Sequence, residues 1–219
     1  MSTKRFVSNG PAKKTIFYLL AALLGSCVPV MSLHSLYTKK DVVFEEKLLG
    51  TWVDDPNNPE TTWEFKRIEE PNNAYSLLFS DDEAKKGLFI VHLVKLQNRL
   101  FLDVYPSEFP WEIDDPNKVK WLYNSFFLIP AHTFIKVDVI EPQLKIRLTN
   151  NEKMEELLSD DPNVVKHTSI EDRIFLTAST KELQAFVIKY ADDIRVFPDE
   201  IILSRRKSES PKIPEAVEP

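Results

Sequence analysis

The chain has 219 residues, with 28 Lys and Arg against 34 Asp and Glu, a formal net charge of −6. An acidic balance repels phosphate backbones and argues against nucleic acid as a partner. One cysteine and four glycines leave no route to an internal disulfide, a cysteine-ligated metal or a glycine-rich phosphate loop, and no cofactor is expected.

The N-terminus is read first. Lys13 and Lys14 precede an uncharged apolar run ending at Leu24, and Gly25-Ser26-Cys27 follows. A basic start, an apolar middle and small residues before a cut are the parts of a secretory signal. Leu24-Gly25-Ser26-Cys27 resembles the lipobox of bacterial lipoproteins. That resemblance implies cleavage before Cys27, acylation of its thiol, and a domain held outside the cytoplasm on an envelope membrane. Val28 after the cysteine, rather than an aspartate, leans toward the outer membrane. The rival is an uncleaved membrane helix, since residues 15–33 carry no charge, but the strongly apolar part is short for a span. Residues 1–26 contain Lys4, Arg5, Lys13, Lys14 and no acid. The processed chain therefore holds 24 basic against 34 acidic residues, a net charge of −10.

Residues 27–46 read as the lipidated cysteine and a tether, 47–206 as a single β-rich domain, and 207–219 as a disordered tail dominated by Ser, Pro, Lys and Glu. Within the tether, Ser32 to Tyr37 followed by Val42-Val43-Phe44 resembles the start of a group of bacterial lipoproteins with no assigned activity.

Strand patterns begin at Gly50. Trp63 and Phe65 alternate with Glu64 and Lys66, and Tyr75, Leu77 and Phe79 share a face in the next segment. Leu88, Ile90, Val94 and Leu96 lie on one face of a strand, with Phe89, Val91 and Leu93 on the other, so both faces are expected to be covered. A hairpin-length link leads to Leu100–Tyr105, and Glu141-Pro142 turns a second hairpin between Ile135–Val139 and Leu144–Leu148. Residues 173–178 and 200–206 read as further strands. Asn151 is expected to cap a short helix carrying Met154, Leu157 and Leu158. Thr180 is expected to cap a second one with Leu183, Phe186, Val187 and Tyr190 on one face. Residues 106–131 hold Trp111, Trp121, Tyr123, Phe126 and Phe127, too many aromatics for a solvated loop, while Pro106, Pro110 and Pro116 argue against a continuous strand; the stretch reads as a long connection folded over the barrel mouth or a neighbouring surface.

Leu48-Leu49-Gly50-Thr51-Trp52 resembles the Gly-x-Trp signature that opens the barrel in lipocalins and fatty-acid-binding proteins. The resemblance implies a mainly β fold: a lipocalin-like antiparallel barrel or strongly curved sheet, with Trp52 packed across its closed end. Two helices inside the C-terminal strand order and the 106–131 insert depart from that pattern. Trp63, Phe65, Tyr75 and Phe79 then either line a ligand cavity or make the core, and core is the default because large aromatics fill space.

Catalytic and metal chemistry is thinly represented. Asp-Asp-Pro-Asn at 54–57, 114–117 and 160–163 fits turns better than calcium, for no distal Glu completes a calcium loop. His34, His92, His132 and His167 show no metal-ligand spacing. His92 faces Asp103 across a hairpin if the loop is Gln97-Asn98 alone; with Arg99 in the loop the two face apart. No serine sits in a nucleophile-elbow context. The expected role is non-enzymatic: binding a small apolar ligand or an envelope component at the barrel mouth. The alternative is an assembly factor that docks another envelope protein through the 106–131 aromatics.

Overall fold

The computed structural model describes residues 29–69, 73–81, 86–107 and 129–206. The expected signal segment 1–26, Cys27, most of the 106–131 connection and the 207–219 tail lie outside them. Two short strands come first, β1 (Met31–Ser32) and β2 (Val42–Val43), followed by a 3-10 turn over Glu46–Leu48. Seven strands then run as a meander: β3 (Gly50–Val53), β4 (Thr62–Ile68), β5 (Ala74–Ser80), β6 (Lys86–Leu96), β7 (Arg99–Pro106), β8 (Thr133–Val139) and β9 (Gln143–Leu148). Helix α1 (Asn151–Asp160), strands β10 (His167–Ile170) and β11 (Arg173–Leu176), and helix α2 (Thr180–Lys189) precede the last strand, β12 (Glu200–Arg205).

Each strand of the meander pairs antiparallel with the next, β6 pairs with β7, and β12 fits between β9 and β3. The ring β3-β4-β5-β6-β7-β8-β9-β12 is a closed eight-stranded antiparallel barrel, and the fold is mainly β with two helices. Closure removes the free edges that an open sheet would expose. The period-2 alternation sends Trp63, Phe65, Tyr75, Leu77, Val91 and Leu93 inward with Leu102, Ile135, Val137, Leu144 and Ile146.

The closing seam is short. β12 matches β3 only at Ser204↔Val53 and Arg205↔Trp52, with one further bond from Arg206 N–H to Thr51 O at 2.9 Å. Side chains reinforce it. The Arg205 guanidinium lies 4.3 Å above the Trp52 ring and donates to the carbonyls of Lys47 and Leu49, each at 2.7 Å. Trp52 is fully buried, and its indole N–H donates to Leu48 O at 2.9 Å. Gly50 adopts φ of 110°, and a Cβ there would sit 2.8 Å from an Arg205 nitrogen. The glycine therefore serves two ends, a left-handed backbone and room for the arginine.

A second core covers the outer wall of β6, β7 and β8. Val94, Leu96, Phe101 and Phe134 point outward from the barrel and meet Met154, Leu157, Leu183, Phe186 and Val187 of the helices. The lower part of β6 is thus buried on both faces as its sequence predicts, whereas Leu88 near its start is exposed. Both helix caps fall one residue earlier than expected. Asn150 accepts from Lys153 N–H at 2.9 Å, and Glu182 reaches back to the Ser179 N–H at 2.8 Å. Asn and Ser both fill the role, so neighbouring candidates such as Asn150-Asn151 and Ser179-Thr180 are not separable by residue type. Ion pairs tie this layer to the wall: Arg99 grips Asp192 with two bonds of 2.8 and 2.6 Å, and Lys136 reaches it at 3.2 Å. Arg99 first, then Lys136, holds the Asp192 carboxyl down to about 2.

Residues 29–46 belong to the fold rather than to a free tether. β1 joins β11 and β10 in a small sheet, β2 extends along β6, and Val30, Ser32 and Leu36 are buried. Alternating apolar residues with a few charges fit a packed strap as well as a solvated one. Only the partner surface decides between them.

Trp52→Ala is expected to cost about 3–5 kcal/mol in equilibrium urea denaturation, as large-to-small aromatic changes in cores do. Gly50→Ala is expected to cost about 1–3 kcal/mol through backbone strain. A loss under about 1 kcal/mol for Trp52→Ala would show that the seam holds without the indole.

Candidate functional site

The barrel interior is the first place a ligand would enter. Trp63, Phe65, Tyr75 and Phe79 all lie on the inward face. Trp63 meets Phe79 edge-on at 5.2 Å, Phe65 meets Tyr75 at 6.3 Å, and Phe44 stacks on Tyr75 at 4.5 Å. Trp52, Tyr75, Val91, Leu93, Leu102, Leu144, Ile146 and Leu203 are each 0% exposed. Such side chains meet other atoms on every side, not a water-sized void. The middle and lower barrel is filled by its own residues. Of the four aromatics, Phe65 and Tyr75 are deep in this packing, while Trp63 and the half-buried Phe79 sit nearest the upper rim.

The lower end is plugged by residues 43–48. Burial pushes the Tyr75 hydroxyl up to about 12, and it both accepts from the Glu45 N–H at 2.7 Å and bonds Glu45 O at 3.2 Å. Arg67 covers Phe44 at 3.8 Å and pairs with Glu46. The upper end carries the points where the chain leaves after Ser107 and returns at Ile129. Ser107 N–H bonds Leu88 O at 3.0 Å, and Leu88 and Ile129 are large exposed apolar residues, 51% and 78% accessible. Trp111, Trp121, Tyr123, Phe126 and Phe127 of the intervening segment lie outside the described residues.

Among the described residues, a buried cluster of titratable side chains lies on the barrel's outer face, beneath the N-terminal strap. The β6–β7 loop is Gln97-Asn98 alone, so Leu96 pairs with Arg99 and His92 stands directly across from Asp103. Both Asp103 oxygens, however, are taken by other groups. One accepts the Leu36 N–H at 2.6 Å, and the other meets His132 Nδ1 at 2.6 Å. His92 instead stacks on Tyr37 at 4.3 Å. Burial lowers the His92 pKa, with Asp103 opposing and His132 reinforcing the shift. Burial, then the nearby Asp103, raises that of Tyr37. Tyr105 packs on His132 at 4.6 Å.

His132 was not singled out by sequence reasoning as the partner of Asp103. It stands 29 residues away across the long connection, one position before β8 begins. Only the β7–β8 pairing, with Asp103 opposite Phe134, brings it near on the same outer face. The arrangement resembles two members of an acyl-transfer triad, but the adjacent serine does not complete it: Ser32 Oγ donates to His34 O at 2.8 Å. What the cluster does in the fold is clasp the strap. The Ser32 and His132 backbones exchange two bonds of 2.8 Å, and Thr180 and Gln184 donate to Ser35 O and Leu36 O, each at 2.9 Å.

The acidic turns hold their own backbone. Asp54 accepts from Glu60 and Thr61 N–H at 3.1 Å, Asp55 from Asn57 at 2.8 Å, and Asp161 from Asn163 at 3.1 Å. The 114–117 copy lies outside the described residues. Among those described, no three His, Cys, Asp or Glu side chains gather as metal ligands, and no helix is long and apolar enough to cross a membrane. Comparison with protein-family models, curated proteins and solved structures returned no match to this chain.

Asp103→Ala is expected to cost about 2–4 kcal/mol, because it strands the Leu36 N–H and His132 Nδ1 without a partner. Asp103→Asn, which can still accept from Leu36 and offer an N–H to His132, should lose clearly less. Urea midpoints of both variants at equal slope test this. His92 supplies a pH signature. Its folded pKa lies below the ordinary 6.5, so the unfolded chain binds the extra proton first as pH falls. Its contribution to stability is full above 6.5 and declines below it. His92→Phe, which keeps a ring against Tyr37, should lose less stability than the wild type between pH 7.5 and 5.5. Identical losses would exclude the histidine.

Proposed function

We propose that this is a lipid-anchored envelope lipoprotein of lipocalin-like architecture, held by Cys27, that binds an envelope component at its barrel mouth without catalysis. The observation that carries this reading is the filled interior. A small apolar ligand has no void in the middle of the barrel, where Trp52, Tyr75, Leu102 and Ile146 are 0% exposed. That leaves the mouth, with Trp63 and Phe79 just below it and Leu88 and Ile129 exposed beside it. The buried Asp103–His132 pair is engaged with the chain's own strap.

A second reading has its own support. Leu88 and Ile129 flank the points where the aromatic connection departs and returns, and exposed apolar side chains there suit a docked envelope protein. The anchor is supported by the order of basic residues, apolar run and Leu24-Gly25-Ser26-Cys27.

Cys27→Ser is expected to abolish acylation and leave uncut precursor; mature protein starting at Met1 with a free Cys27 thiol would remove the anchor. For the mouth, a photocrosslinking residue at Ile129 should capture an envelope component in cells, while the same residue at Ile202 on the barrel wall captures none. Saturable one-to-one uptake of a fluorescent fatty acid that quenches the deep Trp52 would overturn the filled-barrel reading.

A further inference from the structure

The chain enters the domain with almost no slack. Val30, three residues after Cys27, is 1% exposed, and its N–H bonds Thr149 Oγ1 at 3.1 Å while its carbonyl accepts from Thr133 at 3.0 Å. Leu33 N–H then bonds Leu176 O at 3.0 Å, and the Asp103 clasp follows at Leu36. An extended chain covers at most about 3.6 Å per residue, so a lipid on Cys27 lies within roughly 11 Å of a fixed point of the fold.

The small sheet shows which surface lies beside that point. β1 runs parallel to β11, with Met31 opposite Phe175 and Ser32 opposite Leu176. The start of β11, and the tight β10–β11 turn before it, therefore lie on the side from which β1 enters. That turn, Glu171-Asp172, is closed by the pair Ile170↔Arg173. It is fastened to the start of α1: Asn151 donates to Asp172 O at 2.8 Å and accepts from Ile174 N–H at 2.7 Å. Ile170 at its shoulder is 56% exposed.

We propose that the lipid on Cys27 holds the domain directly against the bilayer in one orientation, with the β10–β11 hairpin tip, Ile170 to Asp172, facing the headgroups. The proposal rests on the anchor reading of Cys27. It does not rest on exposed apolar residues as such, since Ile194 at 71% shows that single ones occur elsewhere. It rests on the short, pinned link and the parallel register. Ile170 reaches the interfacial layer, and Glu171 and Asp172 meet the ammonium groups of zwitterionic headgroups. The β6–β7 hairpin tip at Asn98 is at the other end of β7, eight residues or about 25 Å from its rim end.

Acylation of Cys27 consumes the only thiol, so one new cysteine can be labelled uniquely in the full lipidated protein. Ile170→Cys and Asn98→Cys would each carry a fluorophore on vesicles of phosphatidylcholine and phosphatidylethanolamine containing a headgroup-nitroxide lipid. At least threefold stronger quenching at residue 170 than at 98 is expected. Inserting twelve Gly and Ser residues between Val28 and Pro29 should erase the difference while flotation with vesicles persists. Equal quenching in a protein that floats overturns the orientation and leaves the anchor standing. A difference that survives the insertion overturns the short link as its cause. Failure to float removes the anchor and the proposal together. A crosslinker at Ile170 that captures a protein rather than lipid in cells also overturns it.

Discussion

The barrel depends on a seam held by two residue pairs. Seven of the eight strands follow one another through the meander, so their pairing is local, apart from the long β7–β8 link. β12 must return after a helical excursion of about fifty residues to close against β3, at a price in loop entropy that two ladder pairs do little to offset. Arg205 makes up the difference. Its planar fork satisfies two backbone carbonyls of the 3-10 turn while its face covers Trp52. A lysine would offer a point charge without the fork or the flat surface. Gly50, Trp52 and Arg205 thus act as one unit, and the plug at residues 43–48 is fixed by the same contacts.

Closure has a second consequence for β6, β7 and β8. Their inward residues fill the barrel, and their outward residues make a separate core with the two helices and the small sheet. A wall buried on both faces leaves polar side chains little access to water, so each needs a protein partner. Asp103 finds the Leu36 N–H and His132, and Lys136 finds Asp138 at 2.9 Å and Asp192 at 3.2 Å. Both polar sites join layers: Asp103 fastens the N-terminal strap and Lys136 the chain after α2. The strap is consequently fastened to the barrel wall and to α2 at several points along its length.

A barrel of eight strands has just enough interior for side chains to fill or for one small ligand to occupy. Here the inward set includes Trp52, Trp63, Phe65 and Tyr75, and their volume settles the matter in the lower and middle levels. The mouth, where Leu88 and Ile129 are exposed, is therefore the proposed place of binding. Fold alone does not choose an activity.

Local chemistry was legible in the sequence. Alternation of apolar residues marked most strands, and Leu183, Phe186 and Val187 marked the buried face of α2. These signals are legible because strand and helix periods act over a few residues. The register of His92 against Asp103 could not be fixed, since one residue more or less in the β6–β7 loop reverses the faces. The pairing of Asp103 with His132, the hold of Arg205 on Trp52, and the packing of residues 29–46 were decided only by the tertiary structure. Each joins positions tens to more than a hundred residues apart, and no local pattern encodes which distant surface a strap, a guanidinium or a carboxyl will meet.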